Sequence, residues 1–304
     1  MTVDELLVYG KKHVHKDHAK LLLASILNKN PLELLLYLEE EVPEEKVMLY
    51  KKEILALENN QPLQYVIGNV NFYGNEYSVN NNVLIPRFET EELVENTINY
   101  ITSHFDPNNL KILDIGCGSG VIGITLKKHF PNSNVTLLDI SKEALEVARK
   151  NATNLNAEVN FVQSDVFSNI KDKYNVIISN PPYICDDEEI EDIVKNNEPH
   201  IALYGGKDGL DCYRKIFKDI KDHLASPFLI ALEIGQYQAP GIINMANYFL
   251  ENIKIEVLNG SGDSTKLEKA VELLKESGYN VTKTGKTTSI SKTIITNKKE
   301  LDTD

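Results

Sequence analysis

Residues 111 to 126 constrain the fold more than any other part of this chain. Lys111-Ile112-Leu113-Asp114-Ile115 reads as a buried strand, Gly116-Cys117-Gly118-Ser119-Gly120 as a glycine turn, and Val121-Ile122-Gly123-Ile124-Thr125-Leu126 as the start of a helix. Glycines at 116, 118 and 120 let backbone approach a ligand at the end of a strand. Their spacing is Gly-x-Gly-x-Gly, which differs from the Gly-x-Gly-x-x-Gly of dinucleotide folds. The alternation of strand and helix then continues through Ser226-Pro227-Phe228-Leu229-Ile230-Ala231-Leu232-Glu233-Ile234-Gly235. Such alternation implies an α/β fold, with a mainly parallel sheet covered on both faces and any ligand at the carboxyl ends of the strands.

The polar residues fall at those ends. Val135-Thr136-Leu137-Leu138-Asp139 closes a second strand on a carboxylate. Asp139 can accept from both hydroxyls of a ribose, or it can cap the helix that begins near Ser141. A third acidic strand end, Phe161 to Phe167, supplies Asp165 beside the apolar Val166, a pair suited to the edge and face of an adenine. The run Tyr174 to Ser179 leads into Asn180-Pro181-Pro182-Tyr183. Two prolines cannot continue a central strand, so the chain leaves the sheet there stiff and extended. That loop gathers an amide side chain, carbonyls and an aromatic face, a set able to hold a planar NH2 group. An ordinary proline-terminated strand end is the other reading.

In combination, these motifs resemble the class I S-adenosylmethionine-dependent methyltransferases, Rossmann-like enzymes, and the Asn-Pro-Pro-Tyr version resembles those that act on planar, conjugated nitrogens. Three further segments narrow the resemblance. They are Pro62 to Gly68 with Val70 to Gly74, Leu84-Ile85-Pro86-Arg87-Phe88-Glu89-Thr90-Glu91, and Glu198-Pro199 through Ala202-Leu203, Gly205-Gly206, Asp208 to Asp211 and Tyr213-Arg214. Over about residues 1 to 240, the chain is similar to the PrmC or HemK family of protein-(glutamine-N5) methyltransferases, which act on class I peptide chain release factors. The resemblance implies methyl transfer from S-adenosyl-L-methionine to the side-chain amide of the glutamine in a Gly-Gly-Gln motif. It implies a cofactor site of Asp114, Gly116, Cys117, Gly118, Ser119, Gly120, Asp139, Asp165, Val166 and Asn180. Asp114 would order the loop, anchor it in the core or meet the methionine ammonium. Asn180, Pro181, Pro182 and Tyr183 would be catalytic and hold the acceptor, with Tyr183 on the amide plane. Arg87 would contact the substrate or pair with a nearby acid. The family usually has proline after that arginine, whereas this chain has Phe88. Thr90, before Glu91 and Glu92, reads as a helix N-terminus.

Charge bears on the acceptor. A net charge of −13 is opposite to what a phosphate-binding enzyme needs, so direct nucleic-acid binding is not expected, and a basic protein partner is steered towards such a surface. Two other readings compete: a nucleic-acid amino-methyltransferase, which predicts a basic channel, and a non-catalytic S-adenosylmethionine-binding protein. No apolar run approaches a membrane span and no leader pattern opens the chain, so a cytoplasmic location without membrane contact is expected. Cysteines 117, 185 and 212 carry neither a disulfide framework nor zinc-ligand spacing.

Residues 1–68 place apolar side chains at helical spacing, broken at Pro31 and Pro43, and predict a small helical bundle; the resemblance assigns it to substrate recognition. His13, His15 and His18 do not share one helical face, and no metal site is expected. Residues 69–88 predict a linking β-hairpin with turn signals at Asn75 and at Asn80 to Asn82, and 89–245 the methyltransferase domain. Beyond it, the arginine-bearing Gly-x-Asp-Arg turn with which the resembled family closes its sheet is missing. Residues 253–304 instead read as strand, helix (Lys266 to Ser277) and two strands, a small α/β unit resembling the C-terminal domain of LytR-type proteins. Its strands either finish the catalytic sheet or stand apart. Asn259-Gly260-Ser261-Gly262 is either a phosphate nest or a structural turn.

Overall fold

The computed structural model describes residues 1–259, 281–284 and 290–297. The predicted helix over 266–277 and the turn at 260–262 lie outside them. Two compact units form, one of residues 1–70, 79–81 and 190–197, the other of the remaining described residues.

In the first unit, α1 (Val3–Gly10), α2 (Lys16–Leu27), α3 (Glu44–Glu58) and α4 (Leu63–Ile67) close around one apolar core that includes Leu6, Leu22, Leu34, Tyr50 and Ile54. Thr2 and Glu5 form a reciprocal capping box at the start of α1, satisfying two otherwise unpaired backbone donors. His13 meets Glu58 and His15 caps α2. Among the described residues, no group of three or more His, Cys, Asp or Glu is placed to hold a metal, and no helix is long and apolar enough to cross a membrane.

A two-stranded hairpin joins β1 (Asn69–Phe72) to β2 (Asn75–Ser78). Its turn sits at Tyr73-Gly74, one position before the expected Asn75. Both residues have positive φ, 47° and 73°, the conformation that matches strand twist in a two-residue hairpin. The expected start of the next helix also moves: α5 (Phe88–His104) begins at Phe88 with Arg87 as its uncapped N-cap, so Thr90 lies inside the first turn and is buried.

The second unit is an α/β sandwich. β3 (Lys111–Ile115), α6 (Val121–His129), β4 (Asn134–Asp139), α7 (Lys142–Asn154), β5 (Asn160–Gln163) and β6 (Tyr174–Ser179) follow in turn. After α8 (Asp192–Asn197), which belongs to the first unit, come α9 (His200–Leu203), α10 (Asp211–Asp219), β7 (Leu224–Gly235) and α11 (Ala239–Phe249). Strands β5, β4, β3, β6 and β7 are parallel neighbours in that order. Their side chains alternate between two buried faces, which is why Ile112, Leu113, Val176, Ile177, Leu229 and Ile230 are all wholly buried.

The terminal strands finish this sheet. β8 (Ile253–Asn259), β9 (Val281–Thr284) and β10 (Ile290–Asn297) extend it in the order β7-β10-β8-β9, with β10 antiparallel to both β7 and β8. The pairing runs from Ile290 opposite Gly235 to Thr296 opposite Leu229. Residues 253–259, 281–284 and 290–297 are therefore strands of the large sheet. Ile255, Val257 and Ile295 join the same apolar cluster as Ile230 and Leu232.

Candidate active site

A cavity of about 300 Å³ opens at the carboxyl ends of the parallel strands, wholly within the second unit. One wall is the glycine turn after β3. Gly116, Gly118 and Gly120 all have positive φ (68°, 53° and 83°), and Gly118 N–H donates to Asp139 Oδ2 at 2.9 Å. Asp139 Oδ1 accepts from Ser141 N–H, also at 2.9 Å. Asp139 is therefore not the helix cap: its two oxygens secure the turn and the approach to α7. The helix cap itself is Ser141, whose hydroxyl accepts from Ala144 N–H.

Asp114 lies beneath this wall, fully buried. Its Oδ2 accepts from Gly123 N–H at 2.9 Å. A Cβ on Gly123 would lie 2.1 Å from Leu137 and 3.1 Å from that carboxylate, so the close approach needs glycine. Among the described residues Asp114 Oδ1 has no partner. Burial pushes its carboxyl up to about 7, against the Gly123 bond that lowers it; nearby Asp139 raises it further. Burial likewise raises Asp139. Asn151, which the sequence reading passed over, steadies the turn from below, because its Nδ2 donates to both Ser119 O and Ser78 O.

The adenine-side expectation is altered in detail. β5 stops at Gln163, and the chain turns through Val166 at φ 48°, a costly conformation for a β-branched residue. Ser164 holds it there: its hydroxyl donates to Val166 O at 2.8 Å and accepts from Asn169 N–H at 2.9 Å. Asp165 forms an ion pair with Lys215 at 2.8 Å across the rim.

The opposite wall is the loop after β6. Ser179 donates to Ile115 O at 2.7 Å, tying this strand end to β3. Asn180 Nδ2 donates to Thr90 Oγ1 at 3.1 Å, leaving Oδ1 as the amide's acceptor. Asn180, Pro182, Thr90 and Arg87 line the cavity. Pro181 is buried, and the Tyr183 ring packs against the apolar cluster under β7, where burial raises its hydroxyl far above the ordinary range. The loop's carbonyls are committed in part. Tyr183 O accepts from Gln238 Nε2 at 2.8 Å, and a Cβ on Gly205 would lie 2.5 Å from Pro182 O. Gln238 also donates to Gly209 O and accepts from Gly235 N–H.

For Arg87 the pairing with a nearby acid is present. The guanidinium pairs with Glu198 and also lines the cavity. Cys117 is buried in the wall and its thiol is pushed up by desolvation.

These residues fit S-adenosylmethionine. A buried carboxylate with an idle oxygen gains from a cationic ligand, the turn lacks side chains where a cofactor would approach, and Asp139 keeps acceptor capacity for a ribose. The sheet order, the turn after β3 and the carboxylate closing β4 define a class I S-adenosylmethionine-dependent methyltransferase. More particularly, the chain belongs to the release factor glutamine methyltransferase family. It is 40% identical over 237 residues to the release factor glutamine methyltransferase of Streptococcus pneumoniae, covering 77% of this chain and 84% of that one. It is 37% identical over 246 residues to that of Bacillus subtilis, covering 79% and 85%. Family models match as the PrmC N-terminal domain over residues 13–68, the methyltransferase small domain over 91–198 and the LytR cell envelope-related transcriptional attenuator over 252–303. Among solved structures, the catalytic domain of hMettl16 in complex with the MAT2A 3′UTR hairpin 6 shares the fold, with a TM-score of 0.50 and 12% identity over 84% of this chain and 82% of that one.

Proposed function

We propose that this chain methylates the side-chain amide nitrogen of the glutamine in the Gly-Gly-Gln motif of class I peptide chain release factors. The observation that carries the reading is the Asn180 amide, oriented by Thr90 with its oxygen left to accept. The relatives named for release factor glutamine methylation support it.

A carboxamide nitrogen is a poor nucleophile, since its lone pair is delocalised into the carbonyl. Asn180 Oδ1 and the Pro181 carbonyl accept the amide's two N–H bonds. The choice of Pro181 rests on the Pro182 and Tyr183 carbonyls being turned against Gly205 and Gln238. Two acceptors orient the nitrogen and stabilise the positive charge that develops on it. Tyr183 acts by anchoring the loop. The surplus proton leaves to water, so no strong base is needed. S-adenosylmethionine, when bound, supplies a methyl carbon already activated by its sulfonium. Gly116, Cys117, Gly118, Ser119 and Gly120 hold it by backbone, Asp139 through its ribose, Asp165 and Val166 at the adenine, and Asp114 by ordering the turn or neutralising the ammonium; Asn180 meets it at the methyl end. The helical unit recognises the protein acceptor. A net charge of −13 favours a basic protein over nucleic acid, and the reaction takes place in the cytoplasm.

Incubation with labelled S-adenosylmethionine and a purified release factor, followed by mass spectrometry of the Gly-Gly-Gln peptide, tests this. One added methyl on the glutamine is expected. Label appearing only in RNA or at another residue would refute it.

A further inference from the structure

The pair Glu198 and Arg87 has a division of labour that the reaction scheme leaves unused. The Glu198 side chain is only 2% exposed, while that of Arg87 is 33% exposed. Glu198 Oε1 accepts from Arg87 Nη2, and Oε2 accepts from Ile85 N–H at 3.0 Å. One carboxylate therefore holds both the backbone and the side chain of the segment that forms a cavity wall with Asn180 and Thr90. A buried carboxylate is costly unless its partners are fixed. Among the described residues only one guanidinium nitrogen is used, and a guanidinium carries five N–H donors in a rigid fork. Arg87 is the partly exposed member of the pair.

We infer that Glu198 is a positioning residue for the acceptor: it fixes Arg87 so that the free guanidinium donors engage backbone carbonyls of the glutamine-bearing peptide. This rests on the function proposed above. It predicts that removing the charge of Glu198 weakens acceptor recognition and leaves the cofactor side alone, because Asp114, Asp139 and the glycine turn make no hydrogen bond to either residue among those described.

The test is Glu198→Gln, which keeps an oxygen for Ile85 N–H but no longer holds the guanidinium as an ion pair. Arginine modification by phenylglyoxal, read by mass spectrometry, reports Arg87 directly. Arg149 and Arg214, the other two arginines, are internal controls. Arg87 should react several-fold faster in the variant with both controls unchanged. The KM for a release-factor acceptor should rise about tenfold, the scale of one charged hydrogen bond, with cofactor affinity unchanged. Arg87→Gln should raise that KM equally, and the double variant no further. An unchanged Arg87 reaction rate, or additive effects in the double variant, would overturn the inference. Should Glu198→Gln fail to fold, an Arg87→Gln enzyme with the parental acceptor KM would overturn it too. If the parent methylates no release factor, the function falls, and Arg87 reactivity still decides whether Glu198 positions it.

Discussion

The loops after β3 and after β6 leave the same end of the same sheet, yet they are built in opposite ways. The first presents bare backbone, backed by two buried carboxylates, Asp114 and Asp139, whose protons burial holds on more tightly. The second has lost two N–H groups to Pro181 and Pro182 and presents acceptors, with Asn180 clamped by Thr90 and Tyr183 O clamped by Gln238. A wall of the first kind suits a ligand that carries positive charge and hydroxyls. A wall of the second kind suits a neutral group with hydrogens to give. The difference teaches that one strand-end geometry can serve donor and acceptor alike, provided loop chemistry separates them.

If the two walls are separable in this way, substitutions should divide cleanly between transfer and cofactor affinity. Asn180→Ala carries the largest effect: kcat should fall on the order of a thousandfold, as for loss of a preorganised hydrogen-bonding group in other enzymes, with the cofactor dissociation constant within about threefold of the parent by calorimetry. A joint loss of both would break the division. Asp139→Ala should weaken cofactor binding by roughly a hundredfold, the scale of two hydrogen bonds to a charged group, in the same calorimetric assay.

Asp114 sharpens the comparison through pH. Its folded carboxyl titrates near 7 against an ordinary 3.8, so between those values the folded chain holds a proton that the unfolded chain has released. Stability without ligand therefore falls as pH rises from about 4 to about 7. Asp114→Asn should remove that slope, gaining at most a few kcal/mol over the parent at pH 8 and nothing at pH 4. Urea midpoints across this range check it, and parallel curves for both proteins would contradict it. The smallest effect belongs to Gln238→Ala, which frees the carbonyls of Tyr183 and Gly209. Transfer should slow about tenfold, the scale of one or two neutral hydrogen bonds, with cofactor affinity intact.

The features that hold the site were legible in unequal measure. The glycine turn, Asp139 and the Asn180 loop are local patterns, and backbone chemistry alone places them at strand ends. Their supports are contacts over long separations. Glu198 meets Arg87 across 111 positions, Asn180 meets Thr90 across 90 and Gln238 meets Tyr183 across 55, and no periodicity announces such partners. Arg87 offers no side-chain cap, so the start of α5 at Phe88 left no signature, and the capping potential of Thr90 pointed three residues too far. Tyr73 at positive φ hid the hairpin turn behind the more obvious Asn75. The place of β10 between β7 and β8 is likewise a matter of pairing. The apolar residues Ile294 and Ile295 predict a strand, but only backbone pairing with Ala231 and Ile230 on one side and Glu256 and Ile255 on the other selects its neighbours.

The central claim is that the rim grips both hydrogens of a flat amide. It is tested most directly by offering the enzyme two release factors that differ only in Gly-Gly-Gln against Gly-Gly-Glu and counting methyl groups at that side chain by mass spectrometry. The amide should be methylated and the carboxylate, with no hydrogen to give Asn180 or Pro181, should not. Comparable methylation of both would contradict the account.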